Sequence, residues 1–306
     1  MSSVLSLIHV SKSYGPVRAL QDVSFEVPRG SVFGILGPNG SGKTTLLGIV
    51  MDIIKASAGN YLWNGQPGSN EMRKQIGTLL ETPNFYHYLS GEKNLQIAAA
   101  IKERGKEDIP KVLEIVNLTQ RKRSKFSTYS LGMKQRLAIA STLLGDPDIL
   151  VFDEPTNGLD PAGIAEIREL MKELSRQGKT IIMASHILDE VEKVCTHVAI
   201  IQKGVLKTVG SVTEVLAGAH GDSAAIEIEV AADDLGQLEK ILRTMPGILH
   251  VYSRNGLLSA ECDATVTSTG INKYCFDQGV VLSMLSIKRK SLEKRFLEIT
   301  GGKSDR

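Results

Sequence analysis

Apolar and polar residues change rhythm several times along this chain, and each change marks a different kind of element. Short strands are expected over Leu5-Ser6-Leu7-Ile8-His9-Val10 and Val23-Ser24-Phe25-Glu26-Val27, the second ending at a Pro-Arg-Gly turn. Two apolar runs follow, 31–36 and 46–50, separated by Gly37-Pro38-Asn39-Gly40-Ser41-Gly42-Lys43-Thr44-Thr45. Between about 71 and 128 the chain turns polar and helical: one alanine-rich helix opens at Gly91, and another spans 110–116 with proline near its start. Helix and apolar strand then alternate to about 210. The runs 149–152, 180–184 and 198–201 have the unbroken hydrophobicity of buried parallel strands.

Beyond about 220 the pattern changes again. Residues 225–230 alternate as a half-buried strand does, and 234–245 have helical spacing. The segments 251–254 and 257–260 flank Asn255-Gly256, a strong hairpin signal. A helix over 267–278, a strand over 280–287 and a closing helix over 291–299 complete the series. The order βαββαβ plus a helix predicts a small ferredoxin-like α+β domain over 221–306. It carries no catalytic motif.

The loop at 37–45 poses the chemical question. Backbone N–H groups that converge in a loop cradle phosphate, and Gly37, Gly40 and Gly42 permit the torsions and close approach required. The helix that follows adds the positive end of its dipole. Gly37, Gly42, Lys43 and Thr44 satisfy G-x-x-x-x-G-K-[ST] between a strand and a helix, with Asn39 and Thr45 in the same stretch. In this pattern the lysine bridges β- and γ-phosphates and the first threonine hydroxyl ligates Mg²⁺. The chain is therefore expected to bind a nucleoside triphosphate.

Composition narrows the partners. Lys plus Arg is 36 against 34 for Asp plus Glu, a net charge of +2, which gives no electrostatic case for nucleic acid. Cys195, Cys262 and Cys275 stand apart without disulfide or zinc spacing and suit buried thiols in a reducing compartment. The first residues lack a signal-peptide pattern, and no apolar run approaches the ~20 residues that span a bilayer. A cytoplasmic chain is expected, with any membrane role supplied by a partner.

The run 149–152 ends in Asp153-Glu154. A buried strand should finish in paired acids only where they emerge into a site, because burying charge is costly. Asp153 suits an acid that holds Mg²⁺, and Glu154 a base that polarises the attacking water.

Phosphate loop, Asp153-Glu154, Pro155-Thr156-Asn157-Gly158-Leu159-Asp160 and Ala184-Ser185-His186, in that order, resemble an ATP-binding cassette (ABC) ATPase. The resemblance covers residues 4 to about 215. It implies an α/β P-loop NTPase fold over 1–220, a RecA-like core with a helical subdomain at about 82–145. It further implies ATP and Mg²⁺ as ligands, and two cassettes that sandwich two ATP molecules head to tail. Tyr14 matches the aromatic that stacks on adenine. Ser130 and Gly132, in Tyr129-Ser130-Leu131-Gly132-Met133, match the loop that completes the other subunit's ATP site; Leu131 replaces that loop's first glycine. Asp160 matches a loop that communicates across the dimer. His186 matches the histidine that contacts the γ-phosphate and orients the catalytic water. Where the family usually has a glutamine that touches Mg²⁺ this chain has Glu81, a carboxylate that can still ligate the metal.

Glu81, the 129–136 segment and 157–161 are similar to the bacitracin- and lantibiotic-export branch, as is the ending 291–301. The expected function is an ATP-hydrolysing transporter subunit, paired with a second copy of itself or a related cassette. It would act from the inner face of the membrane on a separate permease, an exporter. The alternative is a non-transport ABC ATPase of translation or DNA repair, but those members usually carry paired cassettes, long coiled coils or zinc motifs. This chain has one phosphate loop, no heptads and no zinc spacing. A nucleotide-gated module with little turnover is disfavoured by the presence of both Glu154 and His186.

Overall fold

Strands buried along their whole length have no polar face to offer water, so they collect at the centre of a sheet. Val32–Leu36, Ile149–Asp153 and Thr180–Ser185 are buried at every residue. In the computed structural model they are the middle of a six-stranded sheet. Its order is Val205–Ser211, His197–Gln202, Val32–Leu36, Thr180–Ser185, Ile149–Asp153, Ile76–Leu79. Every neighbour is parallel except Val205–Ser211, which turns back antiparallel on His197–Gln202. The parallel run brings the C-terminal ends of the central strands to one edge, where ligands bind in open α/β sheets. The phosphate loop, Glu154 and His186 each follow directly from one of those ends.

The structure describes residues 2–80, 84–217, 226–254, 256–263, 266–288 and 291–301. The chain divides into two compact units, 1–212 and 213–306. The expected boundary at 220/221 falls among residues outside the described ones.

In the first unit a second, antiparallel sheet has the order Val17–Pro28, Ser3–Tyr14, Ala58–Trp63, Gln66–Pro67. Both sheets share one core, including Val4, Leu20, Phe25, Phe33, Leu46 and Trp63. Phe25 and Phe33 stack at 5.3 Å between ring centroids, and the buried Trp63 indole donates to Val50 O at 3.0 Å. The helical part contains Gly91–Lys102, Ile109–Ile115 and Leu131–Thr142. Leu95, Leu113, Phe126 and Leu137 are buried there. Serines cap two of these helices: Ser90 Oγ accepts from Lys93 N at 3.2 Å and Ser130 Oγ from Met133 N at 3.3 Å.

The second unit has a four-stranded antiparallel sheet ordered Ile248–Arg254, Leu257–Cys262, Ile226–Ala231, Met284–Lys288. Helices Leu235–Thr244 and Ser268–Asp277 connect the strands, and Leu292–Thr300 follows the last. Ile228, Val230, Leu238, Leu242, Leu258 and Ile271 form its core. The last strand starts at Met284, later than the expected 280. Val280 is buried but donates its amide to Cys275 O at 2.9 Å, so it closes the preceding helix instead of joining the ladder. Asn255 of the hairpin turn lies outside the described residues.

All three cysteines are unpaired and buried. Burial raises each thiol's pKa, that of Cys262 to about 11 with help from Asp263 and Glu261. No helix among the described residues is long and apolar enough to cross a membrane.

Candidate active site

The loop after Val32–Leu36 is built on contacts that leave no room for side chains. A Cβ on Gly37 would lie 2.2 Å from Ile201 O and 2.4 Å from Ser41 Oγ. Gly42 adopts φ +107, and a Cβ there would come within 2.5 Å of Ala19 O. Both positions therefore need glycine. Lys43 opens the helix Lys43–Val50 and is almost fully buried. Its Nζ donates to Gly37 O at 2.8 Å and Pro38 O at 3.3 Å, and lies 3.5 Å from Glu154 Oε1. A buried ammonium is thus held in the loop by two carbonyls and one carboxylate.

Glu154 sits just past the strand Ile149–Asp153. Its amide donates to Ala184 O at 3.0 Å, which ties it to the neighbouring strand. Its backbone is left-handed, φ +48, an uncommon state for a residue with a side chain and one that tends to persist where function needs it. Its second oxygen, Oε2, is 2.8 Å from His186 Nδ1. Lys43, Glu154 and His186 are therefore joined through one carboxylate.

The cleft above the loop has a volume of about 450 Å³ and is lined by Asn39, Gly40, Gly42, Lys43, Thr44, Thr45 and Glu154, together with Val17, Arg18, Ala19 and Lys203. Asp153 is buried at the strand end beside it. Ser41 Oγ is also buried and makes no hydrogen bond among the described residues. A hydroxyl kept from water without a partner, next to a cluster of carboxylate and threonine oxygens, suits a polar ligand with a hard cation. The residues present thus fit a nucleoside triphosphate with Mg²⁺.

Tyr14 is not part of the cleft wall. Its ring is about half exposed at the end of the hairpin, with Lys12 Nζ 4.9 Å from the centroid. Its cross-strand partner Val17 does reach the cleft. Ser130, Gly132 and Asp160 are also elsewhere. They line a separate pocket of about 380 Å³ that shares no residue with the phosphate cleft. Asp160 Oδ1 caps the helix Pro161–Arg176 by accepting from Gly163 N at 2.9 Å, and a Cβ on Gly132 would meet open space. Glu81 lies outside the described residues.

Three features here escaped the sequence reading. Arg18 and Lys203 reach the cleft from distant segments that carry no motif. Thr156 Oγ1 donates to the buried Glu190 Oε2 at 2.5 Å, which ties the loop after Glu154 to the helix after His186. Only the threonine's place two residues beyond Glu154 hinted at such an anchor.

A glycine loop between a parallel strand and a helix, beside a strand one place removed in the same sheet that ends in two carboxylates, defines a P-loop nucleoside triphosphatase. The chain belongs to the ABC transporter family, among its ATP-binding proteins and ATPases. The ABC transporter family profile matches residues 20–157. The chain is 40% identical over 313 residues to the uncharacterized ABC transporter ATP-binding protein YhcH of Bacillus subtilis (strain 168), an alignment that covers 98% of this chain and 97% of that one. It is 31% identical to the bacitracin transport ATP-binding protein BcrA of Enterococcus faecalis, with 99% and 98% covered. Among solved structures, cbiO1 from Clostridium perfringens, part of the ABC transporter complex cbiONQ, superposes with a TM-score of 0.64 at 30% identity; 71% of this chain and 92% of that one are covered. These relationships set aside the non-transport alternative.

Proposed function

We propose that two copies of this chain close on two ATP molecules, hydrolyse them with Mg²⁺ bound, and drive a separate membrane permease that exports a drug, antibiotic or peptide. The observation that carries this reading is the separation of the two pockets. The phosphate cleft is lined by Lys43 and by Glu154, to which His186 is hydrogen-bonded, while Ser130, Gly132 and Asp160 face a pocket of their own. A head-to-tail pair would bring the second pocket of one copy over the first pocket of the other. The export assignment rests on the likeness to a bacitracin transport ATP-binding protein.

Within the site, each role follows from chemistry. Lys43 neutralises phosphate charge. Thr44 and Asp153, with Glu81, offer oxygens to Mg²⁺, which supplies charge neutralisation at the β- and γ-phosphates when bound. Glu154 takes a proton from the attacking water as general base. A carboxylate can only accept, so His186 donates its Nδ1–H to Glu154 and holds it in place. We assign His186 the contact with the γ-phosphate, on its likeness to the family's histidine. The protein would work at the cytoplasmic face of the membrane, held there by the permease.

A substitution in the second pocket tests the pairing. Ser130 is exposed, so Ser130→Arg adds bulk and charge without touching the phosphate loop. Light scattering at micromolar protein with ATP and Mg²⁺ is expected to show a dimer for a hydrolysis-blocked chain and a monomer once Ser130→Arg is added, with ATP binding retained. A dimer that survives Ser130→Arg would refute the arrangement.

The second unit we read as an accessory domain, ferredoxin-like and regulatory or partner-binding. Its separate core supports independence. A chain truncated after residue 220 is expected to keep ATP affinity within about threefold, the scatter of a change remote from the site. Titration with a labelled ATP analogue checks this, and loss of nucleotide binding would make the second unit part of the catalytic body.

A further inference from the structure

Two cations in the phosphate cleft have no role in the chemistry above. Arg18 comes from the strand Val17–Pro28, and Lys203 from the turn between His197–Gln202 and Val205–Ser211. Both residues are exposed, and both line the cleft that Lys43 also lines.

Their placement is fixed by backbone bonds. Gln21 N donates to Gly204 O at 2.8 Å, and Gln21 Nε2 donates to Lys203 O at 3.0 Å. Gly204 N donates to Ser41 O at 3.0 Å, which joins the turn to the phosphate loop itself. A Cβ on Gly204 would fall 2.6 Å from Ala19 O, beside Arg18. Strand, turn and loop thus form one frame, and the two cations ride on it. Lys203 also holds φ +51, a conformation that glycine or asparagine adopts at lower cost. Lys203 and Gly204 form the two-residue turn of a hairpin, which requires positive φ at both positions and fixes where the lysine leaves the backbone.

The charges in the cleft point the same way. Lys43 already has the partly buried Glu154 3.5 Å away, and the buried Asp153 precedes Glu154 in the chain. The bound polyphosphate brings several more negative charges. Arg18 offers a planar fork suited to phosphate oxygens, and Lys203 a mobile point charge.

We propose that Arg18 and Lys203 form a cationic rim of the cleft that grips the polyphosphate of the nucleotide in addition to Lys43. The rim adds affinity for tri- and diphosphates and recognises phosphate rather than base. It rests on the nucleotide-site reading above.

Equilibrium titration with labelled ATP, ADP competition and adenosine competition tests it, on the full chain carrying Arg18→Gln, Lys203→Gln or both. Each single change is expected to weaken ATP binding by roughly 3–10-fold, the scale of an exposed charge-assisted contact to phosphate. The double variant should lose the product of the two, and its ATP affinity should fall less steeply with added NaCl than that of wild type. Adenosine should bind all variants alike, and Lys203→Arg should keep wild-type affinity. Unchanged ATP affinity in the double variant, or equal losses for adenosine and ATP, would overturn the rim while leaving the nucleotide site intact. Failure of the wild-type chain to bind ATP would overturn the site reading and the rim together.

Discussion

Glu154→Gln is expected to lower steady-state ATP hydrolysis by roughly 10²–10⁴-fold, the loss that follows removal of a general base, while ATP still binds. Glutamine keeps the size of the side chain but cannot take a proton at neutral pH. The contacts on either side of Glu154 respond differently. Lys43 loses a charged neighbour at 3.5 Å, which frees it for phosphate, so affinity should hold or rise. His186 keeps an acceptor, because the amide oxygen can replace Oε2 at 2.8 Å. Glu81→Gln provides the contrast. Glutamate there should hold Mg²⁺ more firmly and repel the γ-phosphate more strongly, so the two effects oppose each other. Activity should stay within about tenfold of wild type, short of the general-base loss. Steady-state rates of both variants, with and without the permease, decide the matter. A dead Glu81→Gln beside an active Glu154→Gln would reassign the base.

Lys43→Ala is expected to weaken ATP binding by roughly 10²-fold or more, as loss of charge-assisted hydrogen bonds to phosphate implies, and hydrolysis should fall below detection. The ammonium is almost fully buried where the loop closes on itself, so no flexible surface lysine can take its place. Removal also leaves Gly37 O and Pro38 O without their donor and Glu154 without its nearby cation, so part of the loss would come from a loosened loop. Binding of a labelled ATP analogue, compared with thermal unfolding of the apo chain, separates the two. Wild-type affinity in a folded Lys43→Ala chain would remove the phosphate role.

The parts of this site that are legible in the sequence are those with local causes. Glycines in a short loop, a lysine and threonine at fixed spacing, and acids ending an apolar strand each announce themselves within about ten residues. The buried strands were legible too, because unbroken apolar runs have few other solutions. The antiparallel sheet was less so. Ser3–Tyr14 and Val17–Pro28 run well beyond the expected 5–10 and 23–27, because Ser11–Tyr14 and most of Val17–Asp22 are partly or fully exposed without strict alternation and are held by cross-strand bonds. Ala58–Trp63 was missed altogether; only Trp63 is buried, and Gly59 breaks the pattern. Arg18 and Lys203 illustrate the general limit. Nothing near either residue refers to the other, and only the fold of residues between them makes them neighbours of one cleft.

The three buried thiols have a practical consequence. A thiol whose pKa is raised by burial is almost wholly protonated at neutral pH and reacts slowly with maleimides. The natural chain can therefore serve as its own background for site-directed fluorescence, with no cysteine replaced beforehand. A single cysteine introduced on an exposed position such as Tyr88, well away from all three native thiols in sequence, would take a dye selectively in the folded protein. Donor- and acceptor-labelled copies mixed in equal amounts would then report, by energy transfer in real time, whether two copies pair when nucleotide binds and how long any pair lasts once it is spent.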